Sequence, residues 1–333
     1  MPAAALAAMI AVAAPHPTLA WGATGHRLIA RLAIANLPVE LPLFLRGAET
    51  IAAEGELARE PDRWKGAGRI HDNSRDPAHF VDLDDNGAVL GGPSLADLPP
   101  TREAYDQALR ATGSDSWKAG WLPYAIVDGW QQLAKDFAYW RVESTAIKGV
   151  ANSAHRVWMV ADLKRREALI LDDLGALAHY VGDGSQPMHV SVHFNGWGDG
   201  PNPEGFTQNR IHAYFEGAFV HDYIDEADVA RRLAPYEACR CGIEARTVAY
   251  LRSTNRQITP LFRLQKAGAF RLATADGKRF VAERLAAGAD ALRDDIVDAW
   301  RASAFQGVGY PAVKLADVEQ RGLDPYDALY GTD

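Results

Sequence analysis

The chain has 333 residues, of which 48% are apolar and 23% charged, and its formal net charge is −8. This composition is ordinary for a folded protein in water, and the length allows one large domain or two small ones. No apolar run is long enough to span a bilayer, and the negative charge argues against binding nucleic acid through a broad basic surface. An enzyme that binds phosphate through metal ions is not excluded, because the bound ions are then the largest charges near the phosphate.

Residues 1–20 predict a cleaved signal peptide. The stretch is small and apolar, and it ends in Thr18-Leu19-Ala20, where small residues at the last and third-last positions are typical of a cleavage site. The stretch lacks the Lys or Arg near Met1 that is typical of a signal peptide, so a disordered or helical N-terminal extension is the alternative. Cleavage after Ala20 predicts a secreted or periplasmic protein that begins at Trp21.

Helical periodicity accounts for most of the remaining chain. Apolar residues recur at helical spacing over 25–37, whereas clusters of Gly, Pro, Asp and Asn over 48–100 predict a long loop region with short helices. Further helices are predicted over 101–112, 122–148, 152–182, 208–224, 227–232, 236–255 and 278–305. A loop is predicted over 184–207, and the tail from Gly307 is expected to be irregular. Since no segment alternates at period two, we predict a single all-α domain over 21–333.

The two cysteines, Cys239 and Cys241, are separated by one residue. They lack the second pair that a metal finger needs, and a disulfide between them closes a very short ring. We therefore expect either two thiols without function or a minor local bridge.

A first group of histidines and carboxylates surrounds the end of the helix predicted over 152–182. His179 and Asp183 are four residues apart, so their side chains share one helix face. Pro187 ends the helix and can turn His189 back toward that face. Imidazole and carboxylate together suit zinc, so this group predicts part of a metal site.

A second pair, His212 and Glu216, has the same helical spacing. A single pair of this kind is usually a surface pair. Two pairs that face each other, with a third histidine after a helix break, are how helical bundles build metal sites. The combination therefore favours a multinuclear site over two unrelated surface pairs.

These motifs resemble those of a known superfamily. The run HYVGDGSQPMH is very similar to the central motif shared by the single-strand nucleases of the S-one/P-one type and the zinc-dependent phospholipases C. The other motifs of that superfamily follow in the same order along this chain: Trp21 to His26, Asp62, His79 to Asp82, His179 to His189, and His212 to Glu216. The resemblance covers about 21–220 and implies an all-α, multi-helix domain of the phospholipase C and single-strand nuclease type.

The resemblance also implies three zinc ions and their ligands. The ligand sets would be Asp62, His79, His179 and Asp183; His189, His212 and Glu216; and Trp21, His26 and Asp183. In that superfamily the free α-amine and carbonyl oxygen of the first tryptophan bind zinc, so Trp21 would bind only after cleavage behind Ala20. Asp183 would bridge two of the ions, and Glu216 stands where the nucleases usually have aspartate.

The function implied by the resemblance is that of a zinc-dependent phosphodiesterase. We expect an endonuclease that cleaves single-stranded DNA or RNA by a zinc-activated water, and the sequence leaves open whether it also acts as a 3′-nucleotidase. Asp62, Asp183 and Lys65 would serve catalysis, Lys65 by neutralising the transition state, although a solvated surface lysine is the alternative for Lys65. Phe80 and Asp82 match the nuclease positions that stack on a base and hydrogen-bond its edge.

A phospholipase C that cleaves a lipid head group is the alternative function, and a catalytically silent, zinc-stabilised binding protein is the third. Thr24, Arg63 and Asp76 replace the acidic and aromatic residues that hold choline in the phospholipases, which favours the nuclease. The loop 190–210 lacks the Gly-Gly-Asn turn that is common in the nucleases, which argues against the nuclease. The expected partner is single-stranded nucleic acid or a nucleotide, alternatively a phospholipid, and no obligate protein partner is evident. His193, within this loop, is expected to pack the loop.

Overall fold

The computed structural model describes residues 21–198 and 200–331. Within this part of the chain the secondary structure is almost entirely helical, which confirms the all-α prediction. The predicted signal peptide, residues 1–20, lies outside the described residues. Among those described, no helix combines the length and the apolar character needed to cross a membrane.

The helices differ greatly in length, and three long ones form the frame. In chain order the helices are α1 Ala23–Ala35, α2 Ala48–Leu57, α3 Glu60–Arg63, α4 Arg69–Arg75, α5 Arg102–Arg110, α6 Ser116–Ala119, α7 Leu122–Gly149, α8 Ser153–Ser185, α9 Phe219–Tyr223, α10 Glu226–Ala230, α11 Ile243–Asn255, α12 Ile258–Lys266, α13 Ala275–Ser303, α14 Leu315–Arg321 and α15 Tyr326–Tyr330. Short 3₁₀ turns lie at Leu43–Leu45, Asp76–His79, Leu95–Asp97 and Pro187–His189, and a π-helical segment lies at Tyr214–Ala218.

The core lies between α1, α7, α8 and α13, which pack against one another. Each of these helices buries a row of aliphatic and aromatic side chains, such as Ile29 of α1, Phe137 of α7, Leu174 of α8 and Leu292 of α13. Removing this apolar surface from water is the main force that holds the helices together. The C-terminal half of α8 is surrounded on all sides, so polar groups on it are shielded from solvent.

Two regions differ from the sequence-based expectation. Helix α11 begins at Ile243 rather than near 236, because Arg240 adopts a left-handed backbone conformation with φ of 52° that no helix continues through. The stretch just before α11 also contains a disulfide between Cys239 and Cys241, the local bridge that was one of the two expectations. Helix α12 was not predicted; its Pro260 lies in the first turn, where a missing N–H breaks no intrahelical bond.

The tail from Gly307 is also more regular than expected. The segments β1 Gly307–Val308 and β2 Val313–Lys314 pair antiparallel, with Gly307 opposite Lys314. Helix α14 follows directly and packs against α7. The buried side chains of Val308, Val313 and Val318 form a second, smaller apolar cluster with Val142 of α7. Two-residue strands are too short to show a period-two pattern, which is why the sequence did not reveal them.

Helix α8 passes very close to the end of α2 at Gly175. A Cβ atom on Gly175 would lie 2.5 Å from Leu57 Cβ and 2.9 Å from the Leu57 carbonyl carbon. The neighbouring Ala58 carbonyl accepts a hydrogen bond from His179 Nδ1 at 2.8 Å. The glycine therefore allows the backbone contact that orients His179, one turn further along α8.

We predict that Gly175→Ala lowers the free energy of unfolding by about 1–3 kcal/mol, because the added methyl group overpacks a rigid backbone contact. Chemical denaturation monitored by circular dichroism measures the change. Gly149→Ala is the matched control, since Gly149 ends α7 with no atom within 4 Å of the added carbon. Equal stability of Gly175→Ala and the control would contradict the prediction.

Candidate metal centre

The first ligand group forms where α8 meets α3 and the 3₁₀ turn Asp76–His79. Asp62, His79 and His179 each offer a ligand atom, and these atoms lie within 4.8 Å of one another. His79 Nδ1 is 2.9 Å from His179 Nε2, and Asp62 Oδ1 is 3.9 Å from the same nitrogen. His79 and His179 are buried, whereas Asp62 is at the edge, with 12% of its side chain exposed. Three elements that are distant in sequence thus converge on one point.

A second group adds α1 to the same region. His26, His179 and Asp183 offer ligand atoms within 4.8 Å of one another, and all three are fully buried. The His26 ring stacks on the His179 ring with centroids 4.0 Å apart. Gly182 makes room for it, because a Cβ atom there would lie 3.0 Å from His26 Nδ1. Gly182 therefore leaves the space that the His26 ring occupies.

The two carboxylate oxygens of Asp183 face different groups. Oδ1 is 3.4 Å from His26 Nε2, and Oδ2 is 3.0 Å from His79 Nδ1 and 3.3 Å from His179 Nε2. A carboxylate in this position can touch two ions at once. The geometry is thus compatible with the bridging role expected for Asp183, which stays a prediction.

Trp21 lies beside these groups in the core. Its indole Nε1 donates to Ser185 Oγ at 2.7 Å, its ring packs against Phe215 with centroids 5.6 Å apart, and its carbonyl accepts from the His26 backbone N–H at 3.3 Å. The residue is completely buried. Coordination of an ion by the Trp21 α-amine requires the expected cleavage after Ala20, and it stays a prediction.

A third group is formed by His189, His212 and Glu216, all buried. Glu216 Oε2 is 2.6 Å from His212 Nε2 and 3.6 Å from His189 Nε2, and the two imidazole nitrogens are 3.1 Å apart. The expected helix over 208–224 is here a π-helical segment at Tyr214–Ala218, which carries Glu216. Such π segments occur frequently at functional sites, because the widened turn reorients a side chain.

Backbone carbonyls fix the orientation of three of the imidazoles. His179 Nδ1 faces Ala58 O at 2.8 Å, His189 Nδ1 faces His79 O at 2.7 Å, and His212 Nδ1 faces Phe194 O at 2.6 Å. A carbonyl oxygen only accepts, so each Nδ1 carries the proton and each Nε2 presents a lone pair to its ligand group. Hydrogen bonds of this kind orient and strengthen metal-ligating histidines.

The protonation states also suit cation binding. Burial lowers the pKa of His26, His79 and His179 well below its usual range, so these imidazoles are neutral. Burial, and next the charge of Asp62, raise the pKa of Asp183. Burial acts to raise the pKa of Glu216, but its electrostatic interaction with the neighbouring His212 and His189 lowers the pKa to about 2.

Several buried polar atoms in these groups have no hydrogen-bond partner. They are both ring nitrogens of His26, Nε2 of His79, Oδ1 of Asp183 and Oε1 of Glu216. Leaving such atoms unpaired costs free energy, and a divalent cation bound by them removes that cost. The residues present therefore fit metal ions, and the three groups of histidine, aspartate and glutamate can hold them.

The remaining predicted site residues lie around the same region. Lys65 Nζ is 2.7 Å from Asp62 Oδ1, with 17% of its side chain exposed, so Lys65 is part of the site's edge rather than a solvated surface lysine. Phe80 is half-buried and follows His79 directly. Asp82 is buried, its Oδ1 has no partner, and burial raises its pKa to about 8. Their roles toward a substrate stay predictions.

A groove lies beside the ligand groups, and none of the ligand residues is among the residues that line it. Its volume is about 1580 Å³, and the residues near the ligands are Trp64, Arg75, Ala78 and Tyr180. The guanidinium of Arg75 lies 4.6 Å from the centre of the Trp64 ring. These residues and Gln186, which faces the third group, were not singled out from the sequence. Tyr180 and Gln186 lie inside the HYVGDGSQPMH motif, which was the available signal.

His193 packs the loop after His189, as expected. Its ring stacks on Trp197 with centroids 3.7 Å apart, its Nε2 pairs with Asp85 Oδ1 at 2.9 Å, and its Nδ1 accepts from the Gly198 N–H at 3.0 Å. The adjacent Phe194 supplies the carbonyl that orients His212. The loop therefore supports the third ligand group from outside.

Comparison with known proteins gives one distant similarity. No protein family model matches the chain. The chain is 27% identical over 252 residues to a probable serine protease of Bradyrhizobium tropiciagri, and the match covers 61% of this chain and 31% of that relative. The chain thus spans about a third of the length of the curated relative it matches, and the relative's name applies to the whole of that longer protein.

This comparison overturns the predicted function. The relative is named as a protease, whereas we expected a phosphodiesterase or endonuclease for single-stranded DNA or RNA, with a phospholipase C or a silent binding protein as alternatives. Those predictions are wrong on this finding, and only the coarser class, a hydrolase, is common to both. The error has a physical reason. Ligand spacing indicates a metal site, but a metal-activated water can attack carbonyl and phosphoryl centres alike.

We predict that Asp82→Asn stabilises the protein increasingly as the pH rises from 5 to 8. With the folded pKa raised to about 8 and the unfolded pKa near its ordinary value, the folded wild type binds a proton that the unfolded chain releases in this range. Wild-type stability therefore falls with rising pH by up to about 1.4 kcal/mol per unit, and the asparagine removes this loss. Denaturation at each pH, with chelator present, measures the difference. The exposed Asp327→Asn is the control, and a pH-independent difference for Asp82→Asn would contradict the prediction.

Proposed function

We propose that this protein is a hydrolase that depends on three bound zinc ions and uses a water molecule, rather than a side chain, as its nucleophile. The observation that supports it is the convergence of eight side chains of ligand type, most of them buried, in three groups. Four of the eight have a buried nitrogen or oxygen atom without a hydrogen-bond partner. The eight are His26, Asp62, His79, His179, Asp183, His189, His212 and Glu216. Imidazole and carboxylate ligands suit zinc better than calcium or magnesium, which prefer oxygen alone.

The number three follows from the grouping. Two groups share His179 and are joined by Asp183, whose two oxygens face them separately, and the third group has no member in common with them. This arrangement favours a close pair of ions and one more distant ion. Trp21, next to His26, would complete the set once its α-amine is freed by cleavage.

The chemistry combines the ions with residues at the edge of the site. A bound zinc ion lowers the pKa of a coordinated water toward neutrality and polarises the bond to be cleaved. Asp62 and Asp183 hold their oxygens between the imidazoles, which orients the site before substrate arrives. Lys65 brings a positive charge to the open edge, beside Asp62, where negative charge that develops on a substrate is stabilised. The adjoining groove gives an extended substrate access to this edge.

A serine nucleophile has no support within 21–198 and 200–331, because no hydrogen bond there joins a serine hydroxyl to an imidazole ring. Ser185 and Ser191 each lie two residues from a ligand in the sequence. Ser185 Oγ accepts from Trp21 and donates to the Gly182 carbonyl, and Ser191 Oγ accepts from the His193 backbone N–H. A serine protease needs its hydroxyl within reach of a histidine base. We therefore take hydrolysis, and peptide bonds as the substrate class, from the relative's name, but we do not take the serine mechanism from it.

Metal analysis of ligand variants tests the ion arrangement. We expect three zinc ions per chain in the wild type, two in His212→Ala, because only the separate group is damaged, and one in Asp183→Ala, because the bridging carboxylate serves two ions. Plasma emission spectrometry after gel filtration gives the counts. The exposed His221→Ala keeps three ions. If Asp183→Ala loses no more zinc than His212→Ala, Asp183 does not bridge.

An inhibitor comparison tests the nucleophile. We expect the zinc-loaded protein with mature Trp21 to hydrolyse fluorescently labelled casein, to lose that activity with a chelator, and to regain it with zinc. A serine-directed fluorophosphonate has no effect, because no serine is activated. Asp183→Ala, which keeps the groove, is the inactive control. Labelling of a serine together with activity that survives the chelator would overturn the proposal.

A further inference from the structure

Gln186 lies between the end of α8 and the 3₁₀ turn that carries His189, and it is completely buried. Its side-chain oxygen Oε1 accepts the Met188 backbone N–H at 2.7 Å. Its amide nitrogen Nε2 is 3.0 Å from His212 Nε2 and 3.3 Å from Glu216 Oε2. One side chain thus connects the turn with two members of the third ligand group.

The orientation of this amide is fixed by its partners. Because Oε1 accepts from Met188, the NH₂ end is the one that faces the ligands. An amide NH₂ group only donates hydrogen bonds, so it cannot coordinate a cation. It can donate to Glu216 Oε2, whose carboxylate oxygen has lone pairs for both an amide hydrogen and an ion. Gln186 therefore reaches the ligand group without being a ligand.

Glu216 benefits from such a restraint. A glutamate has one more rotatable bond than an aspartate, so holding its carboxylate in one place costs more side-chain entropy. Glu216 also lies in a π-helical segment, and its Oε1 has no hydrogen-bond partner. Among the residues that the structure describes, Gln186 is the one side chain outside this group that bonds Glu216.

We propose that Gln186 is a positioning residue that holds Glu216 in place for the distant ion of the third group. The inference rests on the proposed function, since it assumes that this group binds zinc. When an ion takes the lone pair of His212 Nε2, Glu216 Oε2 is the acceptor left for the amide. Loss of a hydrogen bond to a metal ligand typically weakens metal affinity about 10- to 100-fold. Only the third ion is affected, because within 21–198 and 200–331 the Gln186 side chain makes no hydrogen bond to the other two groups. The bond from the Gln186 backbone N–H to the Asp183 carbonyl, at 3.0 Å, does not depend on the side chain.

A double-mutant cycle on zinc affinity tests the proposal independently of activity. Dissociation constants are measured by competition with a fluorescent chelator for wild type, Gln186→Leu, Glu216→Ala and the double variant. Gln186→Leu is expected to keep two ions at wild-type affinity and to bind the third about 10- to 100-fold more weakly. The double variant is expected to bind no more weakly than Glu216→Ala, because Gln186 acts through Glu216. Gln107→Leu, at an exposed position on α5, is the matched control.

Three outcomes overturn the inference. Wild-type zinc affinity in Gln186→Leu would show that Gln186 has no role in binding the ion. If the affinity of the double variant falls by the product of the two single losses, Gln186 supports only the turn. Weaker binding of all three ions would show a general structural effect. If Gln186→Leu does not fold, Gln186→Asn replaces it. The shorter amide cannot reach Met188 and Glu216 together, so wild-type affinity of that variant also overturns the inference. A wild type without zinc would instead refute the proposed function.

Discussion

The structure depends on one buried carboxylate, that of Asp183. It lies in the core with no exposed surface, its Oδ1 has no hydrogen-bond partner, and the imidazoles around it are neutral because burial lowers their pKa. A buried charge without a counter-charge is among the most costly features a protein can contain. Cations held by Asp183 together with His26 and His79 would resolve that cost, and the same cations would supply the chemistry proposed here.

The fold can be understood as the means of surrounding Asp183. Helix α8 carries His179 and Asp183 through the centre, and the close contact at Gly175 brings the end of α2 near enough for Ala58 to orient His179. Gly182 admits the ring of His26 from α1. The three groups therefore rest on backbone contacts and on carbonyl hydrogen bonds, which restrict side-chain motion before any ion binds.

The sequence predicted much of the convergence of these histidine and carboxylate side chains, because their spacing is local. His179 and Asp183, or His212 and Glu216, are each one helical turn apart, and Pro187 redirects His189 by a known steric rule. It did not predict how Gln186 faces the third group, because an amide contact across two elements leaves no periodic pattern. The late start of α11, the hairpin after Gly307 and helix α12 were missed for a similar reason, since Arg240 and Pro260 act through backbone geometry and position.

The scissile bond was the part that ligand spacing could not determine. Substrate class depends on the walls of the groove, on residues such as Trp64, Arg75 and Tyr180, which come from separate elements and carry no motif of their own. The distant relative shares only part of its length with this chain, so its name constrains the class of reaction more than the mechanism. The buried imidazoles and carboxylates constrain the mechanism more than the substrate. The relative's name brings hydrolysis as the class of reaction, and the buried imidazoles and carboxylates fit the metal-activated water that we propose as the nucleophile.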